Sequence, residues 1–590
     1  MSSSSSAGSV STEGWSGRKA RFLNRLHARL STFARPATAF VSQPEPRTIG
    51  SFARGRQLMA GNFMFAGHLI RQPEVSIWTI RMPTLGFEQE LHGFAWLDDL
   101  AAVGDSPSRQ MAQRWLADWI ARFARGRGAG WTPDLTARRL IRWINHAPLL
   151  LSGQGGKLSE AYFSSLAQQT IFLSKRWHSA SPGLARFEAL TGLIYAGMAL
   201  EGMERHVHPA IRALSIECTG QIDAEGGIPT RNPEELLEVF TLLTWAAASL
   251  SEAGRMAARD HLLAIERIAP TLRALRHADG GLARFHGGGR GQEGRLDRAL
   301  AAAGVRAMSN TGLAMGYARM SAGRTSIIVD AAAPPTAEAS FNGHASTLAL
   351  ELTSGRRPVI VNCGSGTSFG EDWRQAGRAT PLHSTLGVEG YSSSRLGPKR
   401  LIRGIERELL LDRPTDVRVQ HAQGEDGQSL LLGHNGYVGT HGLTHVRRLD
   451  LDREGRELLG QETLGALSDV GRRRFEMYVN RVSIQGIPFH IRFHIHPDVE
   501  AKLDLGGTAV SLALKSGEIW VFRQKGNAAQ LTLSGSVYLE RGRLKPRATK
   551  QIVLSASVVD YAMQVGWTLA KAQDTPSNIR DLERTQPMST

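Results

Sequence analysis

Cysteine is nearly absent: Cys218 and Cys363 are the only two in 590 residues, and they form no Cys-x-x-Cys pair. This excludes a disulfide scaffold and a four-thiolate zinc site as the basis of the fold. Long apolar runs are missing as well, since Arg, Glu or Gly interrupts the greasiest stretches, and no segment reads as a membrane-spanning helix. Acidic residues are in deficit, 54 against 70 Lys plus Arg, for a formal charge of +16. That balance favours an acidic partner (nucleic acid, anionic lipid or anionic polysaccharide) without choosing among them. No Gly-x-Ser-x-Gly elbow lies between a strand and a helix. The run Gly287-Gly288-Gly289-Arg290-Gly291 lacks the Gly-Lys-Ser/Thr ending of a phosphate loop, so serine-hydrolase and nucleotide chemistry are unsupported. Basic and aromatic residues do not interleave on a strand as an RNA-binding sheet requires, and nucleic acid is not an expected partner.

What is present is enough apolar sequence, 42% with 21% charged, to bury more than one core. Residues 1–50 are rich in Ser and Arg, lack the apolar stretch of a secretory signal, and are expected to be a flexible basic tail; a surface-binding amphipathic segment is the alternative. Over residues 51–318 the apolar spacing is helical, as in Met111, Trp115, Trp119, Ile120 and Phe123, or Phe187, Leu190, Ile194 and Met198. Thr132-Pro133 and Asn232-Pro233 each place a capping side chain before a proline at a helix start. Gly287 to Gly294 suit an exposed loop. Over residues 319–570 the period falls to two, with short β-rich runs such as Thr325–Asp330, Leu348–Leu352, Pro358–Val361 and Glu518–Phe522. The pattern predicts an α+β multidomain chain, helical hairpins followed by an antiparallel β-sandwich, with a polar tail over 571–590.

The β half also carries a series of short motifs. They are Gly343-His344-Ala345-Ser346-Thr347-Leu348 with Glu351-Leu352, Val361-Asn362-Cys363-Gly364, Trp373-Arg374, Arg378-Ala379-Thr380 and His383-Ser384-Thr385-Leu386. His445-Val446-Arg447-Arg448, Arg492-Phe493-His494-Ile495-His496-Pro497 and Gln551-Ile552-Val553-Leu554 follow. With Trp96-Leu97, Gly226-Gly227 and Arg231-Asn232-Pro233 in the helical half, their order and spacing resemble the heparinase II/III family of polysaccharide lyases. The resemblance covers roughly Phe52 to Leu554. It implies an N-terminal α-helical (α/α) toroid, a C-terminal antiparallel β-sandwich, and an acidic, uronate-containing glycan such as a glycosaminoglycan in the cleft between them. It further implies a carbon–oxygen lyase working by β-elimination in a cell-envelope or periplasmic setting; the missing export signal leaves a cytoplasmic setting as the alternative.

β-Elimination needs a base for the proton beside the carboxylate, donors to stabilise the carbanion, and an acid for the leaving oxygen. In the family a His-x-His pair precedes the Leu-x-Phe-Glu strand; here it reads Asn342-Gly343-His344, and Asn cannot act as a base near neutral pH. The family's zinc ligands fall at His344, Asn362 and His383, where a neutral amide is a poor third ligand and argues against the metal. The helical-domain tyrosine falls near Glu235, and the family's Asn-His pair has Arg186-Phe187-Glu188 as its nearest equivalent. His383, Arg378 and Asn342 are left as catalytic candidates, and Arg231, Asn232, Arg374 and Arg378 as substrate-binding candidates. Asn232 and Glu235 also fit a capping box, which explains both without a substrate. His490, Arg492, His494 and His496 alternate onto one sheet face, an anion or metal site or, preferred, a structural strand. The leading expectation is a polysaccharide lyase; the alternatives are a catalytically impaired acidic-glycan-binding protein of the same fold and a basic envelope-associated structural protein.

Overall fold

The computed structural model describes residues 15–574 apart from 34, 43–45, 49, 307–311, 403–404 and 483–485. Helices dominate up to Ala303, among them Ser106–Phe123, Pro133–Asn145, Gly156–Arg176, Leu184–Ala199, Val207–Gln221, Pro233–Glu252 and Arg259–Ala274, and successive ones pack on one another to build the toroid. From Tyr317 onward the chain is antiparallel β-sheet. One eight-stranded sheet runs from Val417–Gln423 at one edge to Glu500–Asp504 at the other. The second runs from Gln530–Tyr538 to Tyr317–Ala322, with the short strand Leu386–Val388 paired to Ile487–Ile495.

The period-two and period-3.6 patterns translate directly into burial. Strand Leu443–Asp452 buries every second residue, and Phe489, Ile491, Phe493 and Ile495 all point into the core between the sheets, where Phe493 meets Phe522 and Trp567. In the toroid the stripe Trp115, Leu116 and Trp119 packs with Trp78, Phe94, Trp96 and Trp143 in an edge-to-face aromatic cluster. The Arg139 guanidinium lies 4.2 Å above the Trp119 ring and donates to His92 O and Gly130 O; the carbonyl at the end of helix Leu85–His92 is the negative pole of that helix. Helix Pro233–Glu252 starts at Asn232, whose Oδ1 accepts from Glu234 N and Glu235 N, as the sequence predicts. Thr132, expected to do the same for Pro133–Asn145, makes no side-chain cap bond.

Two further expectations are corrected. The basic stretch read as a flexible tail contains a helix, Trp15–Leu30, docked on Gly156–Arg176, where Arg176 Nε donates to Asn24 Oδ1 at 2.7 Å. Of the glycines from 287 to 294, read as an exposed loop, Gly287 and Gly288 are buried at the seam between the halves and Gly289 is half-buried. A Cβ on Gly288 would lie 2.4 Å from Asn232 Oδ1, and one on Gly287 2.9 Å from Asn342 Cβ, so glycine is what lets the chain pass there.

The same seam is riveted by buried ion pairs. Arg231, in the left-handed region at φ 50°, donates from Nη2 to Asp330 Oδ1 at 2.6 Å and spends its other nitrogens on the carbonyls of Met315, Gly316, Ala332 and Ala333. Asp330 Oδ2 accepts from Ser346 Oγ at 2.7 Å and lies 3.4 Å from His286 Nε2. Alongside it, Glu351 Oε2 accepts from Arg284 N at 3.0 Å, with His277 Nε2 at 3.3 Å. Tyr317, Ile328 and Ala349, all from the β half, belong to the helical core, so packing and charge join the domains at one place. Asp330→Ala would strand the Arg231 guanidinium without a counter-charge, and we expect a loss of about 3–5 kcal/mol in denaturant unfolding; a loss under about 1 kcal/mol would show that the pair does not hold the seam.

Candidate functional site

Next to this seam the structure gathers most of the residues singled out by sequence. A 3-10 turn, Ala337–Asn342, leads into His344, and helix Glu371–Arg378 leads through Thr380–Leu382 into His383. His383 Nδ1 faces Ala379 O at 2.9 Å, a group that can only accept, so that nitrogen carries the proton. His383 Nε2 therefore accepts, and its donor is His344 Nδ1 at 3.0 Å. Burial pushes His383 down to about 4 and His344 well below the ordinary imidazole range, with Arg378 and Arg374 adding to the effect at His344. Both rings are neutral at pH 7, sealed from solvent and bonded to each other.

Asn362 is held just as firmly. Its Oδ1 accepts from Ser384 N at 3.0 Å, and its Nδ2 lies 3.4 Å from Glu351 Oε1. The donor set at these three positions does not fit zinc: the two imidazoles spend a proton and a lone pair on each other, and the third position is an amide engaged at both ends. Among the described residues no three His, Cys, Asp or Glu side chains converge as a metal site. His494 belongs to a different arrangement, with Nε2 donating to Pro381 O at 2.9 Å and Nδ1 facing Ser536 Oγ at 2.7 Å and Cys363 Sγ at 3.3 Å. Burial raises the Cys363 thiol to about 12, so it is a neutral packing group. His490, on the same strand, pairs with Ser555 instead.

Arg378 is 2% exposed and donates to Gly343 O and Ser340 O at 2.9 and 3.0 Å; its Nη1 has no partner, and no carboxylate bonds to it. Burial lowers it to about 10, with the neighbouring Arg374 charge acting in the same direction. Arg374 stacks 4.6 Å from the Phe341 ring and pairs with Glu371 at 3.1 Å. Asn342 is exposed beside Gly287. Arg231, expected to touch substrate, is instead committed to the seam, and Asn232, expected to do the same, has its Oδ1 committed to the helix cap.

The helical wall carries the opposite charge. Arg138 grips Glu188 with two bonds, 2.7 and 2.9 Å, and Arg295 grips Glu238. Glu235, at the position of the family's tyrosine, is pushed up to about 7 by burial and by the Glu188 charge. Asp134 adds a further carboxylate against Glu188. Sequence reasoning noted Glu235 and Glu188 as departures but missed Asp330, His286 and Arg284; the one available signal was an aspartate closing the apolar run Thr325–Asp330.

Two outcomes follow. His383, His92 and His494, held near 4, 3 and 3, are neutral in the native state and protonate first in the unfolded chain at 6.5. Their stabilisation is complete above that value and drains as pH falls toward 4, by about 1.4 kcal/mol per group per pH unit, with Glu235 opposing in part. Denaturant midpoints at pH 7 and 5.5 should show a lower stability at 5.5; an equal or higher midpoint there would contradict the assignment. Elemental analysis after zinc addition and dialysis should find less than stoichiometric metal, and stoichiometric zinc would overturn the reading of His344, Asn362 and His383.

Residues 304–568 match the family described as Heparinase II/III-like, C-terminal. FtsZ-localized protein C of Caulobacter vibrioides is 29% identical over 565 residues, covering 91% of each chain. Among solved structures, Heparinase III aligns over 93% of this chain and 89% of its own at a TM-score of 0.66 and 13% identity. A mutant heparan sulfate lyase from Pedobacter heparinus aligns over 95% and 90% at a TM-score of 0.58 and 14% identity. These structures share the toroid and sandwich architecture found here, and at such identities the likeness is one of fold. Its β half thus matches the Heparinase II/III-like C-terminal family, and its two-domain architecture is similar to that of the heparinase structures.

Proposed function

We propose that this chain has the fold of a polysaccharide lyase without its chemistry, and that it works by binding, at places where FtsZ assembles. One observation carries the reading: among the described residues, the junction does not keep the family's own acid–base side chains. Asn342 stands where a base is wanted, His344 and His383 are buried and neutral, and the tyrosine position holds Glu235. The helical wall argues the same way, because a uronate there would meet Asp134, Glu188, Glu235 and Glu238 with Arg138 and Arg295 already engaged. The FtsZ association is drawn from the Caulobacter relative, which is similar across both domains rather than one. It favours the cytoplasmic alternative over the cell envelope.

A second reading, retained binding of an acidic glycan, has one feature in its favour. Arg378 keeps a buried Nη1 without a hydrogen-bond partner and no carboxylate bonded to it, Glu408 and Glu371 acting only from a distance, and a bound carboxylate or sulfate would satisfy it. In this reading His383 and Arg374 flank the bound anion.

Purified protein incubated with a panel of uronate polymers should release no unsaturated product by absorbance, while co-sedimenting with FtsZ filaments. Sustained product release from any polymer would contradict the loss of chemistry, and failure to co-sediment would contradict the FtsZ association. If glycan binding survives, Arg378→Ala should weaken pull-down on the same polymers by about tenfold at a temperature where circular dichroism shows the variant still folded. Undiminished pull-down would remove Arg378 from the account.

A further inference from the structure

Helix Trp15–Leu30 is amphipathic the wrong way round for a helix whose purpose is to complete a core. Its inward face is small and polar: Asn24, Ala28 and Ser31 are buried against Gly156–Arg176, where Gln168 Nε2 donates to Ala28 O at 3.1 Å and Arg176 Nε to Asn24. Apart from half-buried Leu23, its described large apolar residues point outward instead. Phe22 is 66% exposed, Leu26 40%, Leu30 54% and Phe33, in the turn that follows, 87%. They recur at intervals of four, four and three, so they form one continuous stripe rather than scattered single residues.

The charge along that helix has one sign. Arg18, Lys19, Arg21, Arg25 and Arg29 are all exposed, and the segment contains no Asp or Glu. At helical spacing Arg18, Arg25 and Arg29 lie along one margin of the apolar line, and Lys19 lies within it. Sixteen residues at 1.5 Å rise make a ridge about 24 Å long. Its opposite side is taken up by Gly156–Arg176. A basic and apolar helix face of this kind matches a flat anionic surface that also accepts apolar side chains. No described helix is long and apolar enough to cross a membrane, so any attachment through this ridge is peripheral.

We propose that this ridge seats the protein on an anionic lipid surface. Phe22, Leu26, Leu30 and Phe33 enter the boundary between headgroups and acyl chains, and Lys19, Arg25 and Arg29 sit on lipid phosphates. This goes beyond the binding function proposed above and does not depend on it.

The test is flotation of the full chain with phosphatidylcholine vesicles, with and without phosphatidylglycerol. Binding should be about tenfold stronger to the anionic vesicles and weaken as salt is raised. The triple variant Phe22→Ser, Leu26→Ser and Leu30→Ser and the double variant Arg25→Glu and Arg29→Glu should each lose about tenfold in partitioning. Because the substituted side chains are exposed, both should melt with wild type. Equal binding to neutral vesicles, no binding to either, or unimpaired binding by both variants would overturn the proposal. So would a concentration-dependent dimer that the triple variant abolishes while vesicles capture nothing, which would assign the stripe to a second copy of the chain.

Discussion

The buried Arg231–Asp330 pair is the constraint on which the rest of this molecule depends. It lies where the last helical turns meet the first strands, and it needs its accessory partners: carbonyls for the remaining guanidinium nitrogens, Ser346 and His286 for the second carboxylate oxygen. A charge pair removed from water repays its desolvation only when such bonds are complete. The same bonds set the register of the segment from Asp330 to Leu348, since Leu348 N donates to Asp330 O and His344 N to His286 Nδ1. A second buried pair reaches the same segment from below, where Arg447, bonded to Glu462, donates to Leu348 O and Ser384 O. The loops presenting His344 and His383 are thus fixed from both sides, which explains how two imidazoles come to lie within hydrogen-bond distance in a dry place.

That rigidity bears on function. A lyase needs groups that exchange protons with a substrate and with water, whereas here the histidines exchange hydrogen bonds with each other and with backbone. The positive charge left at Arg378 and the negative charge along the helical wall face different directions of selectivity, toward and away from an anionic sugar. In the proposed reading, the fold keeps the frame of a lyase junction while His344 and His383 serve the structure.

Much of this was legible in the sequence. Alternation located the strands, because Phe489, Ile491, Phe493 and Ile495 could only share a face. The motif order carried the resemblance, and Asn342, Asn362 and Glu235 were legible as departures from the family's pattern. What escaped was set by partners distant in sequence. Nothing near Arg231 announces that Asp330 will neutralise it across 99 positions, and so an arginine beside a helix cap read as a substrate ligand. Gly287 and Gly288 looked like loop residues because local sequence cannot show that a neighbouring chain leaves no room for a Cβ. The helix Trp15–Leu30 was hidden by its own composition, since Arg and Ser suggest solvent while its docking face is built from Asn24, Ala28 and Ser31.

The central claim, that the junction imidazoles are sealed and unavailable as acid or base, is most directly tested by nitrogen NMR of histidine-labelled protein, with His344 and His383 assigned by single substitution. Both rings should stay neutral from pH 8 down to about 5, each with its proton on Nδ1, and should ignore added uronate oligosaccharide. A ring that titrates near 6.5, or whose tautomer changes when the sugar is added, would contradict the account.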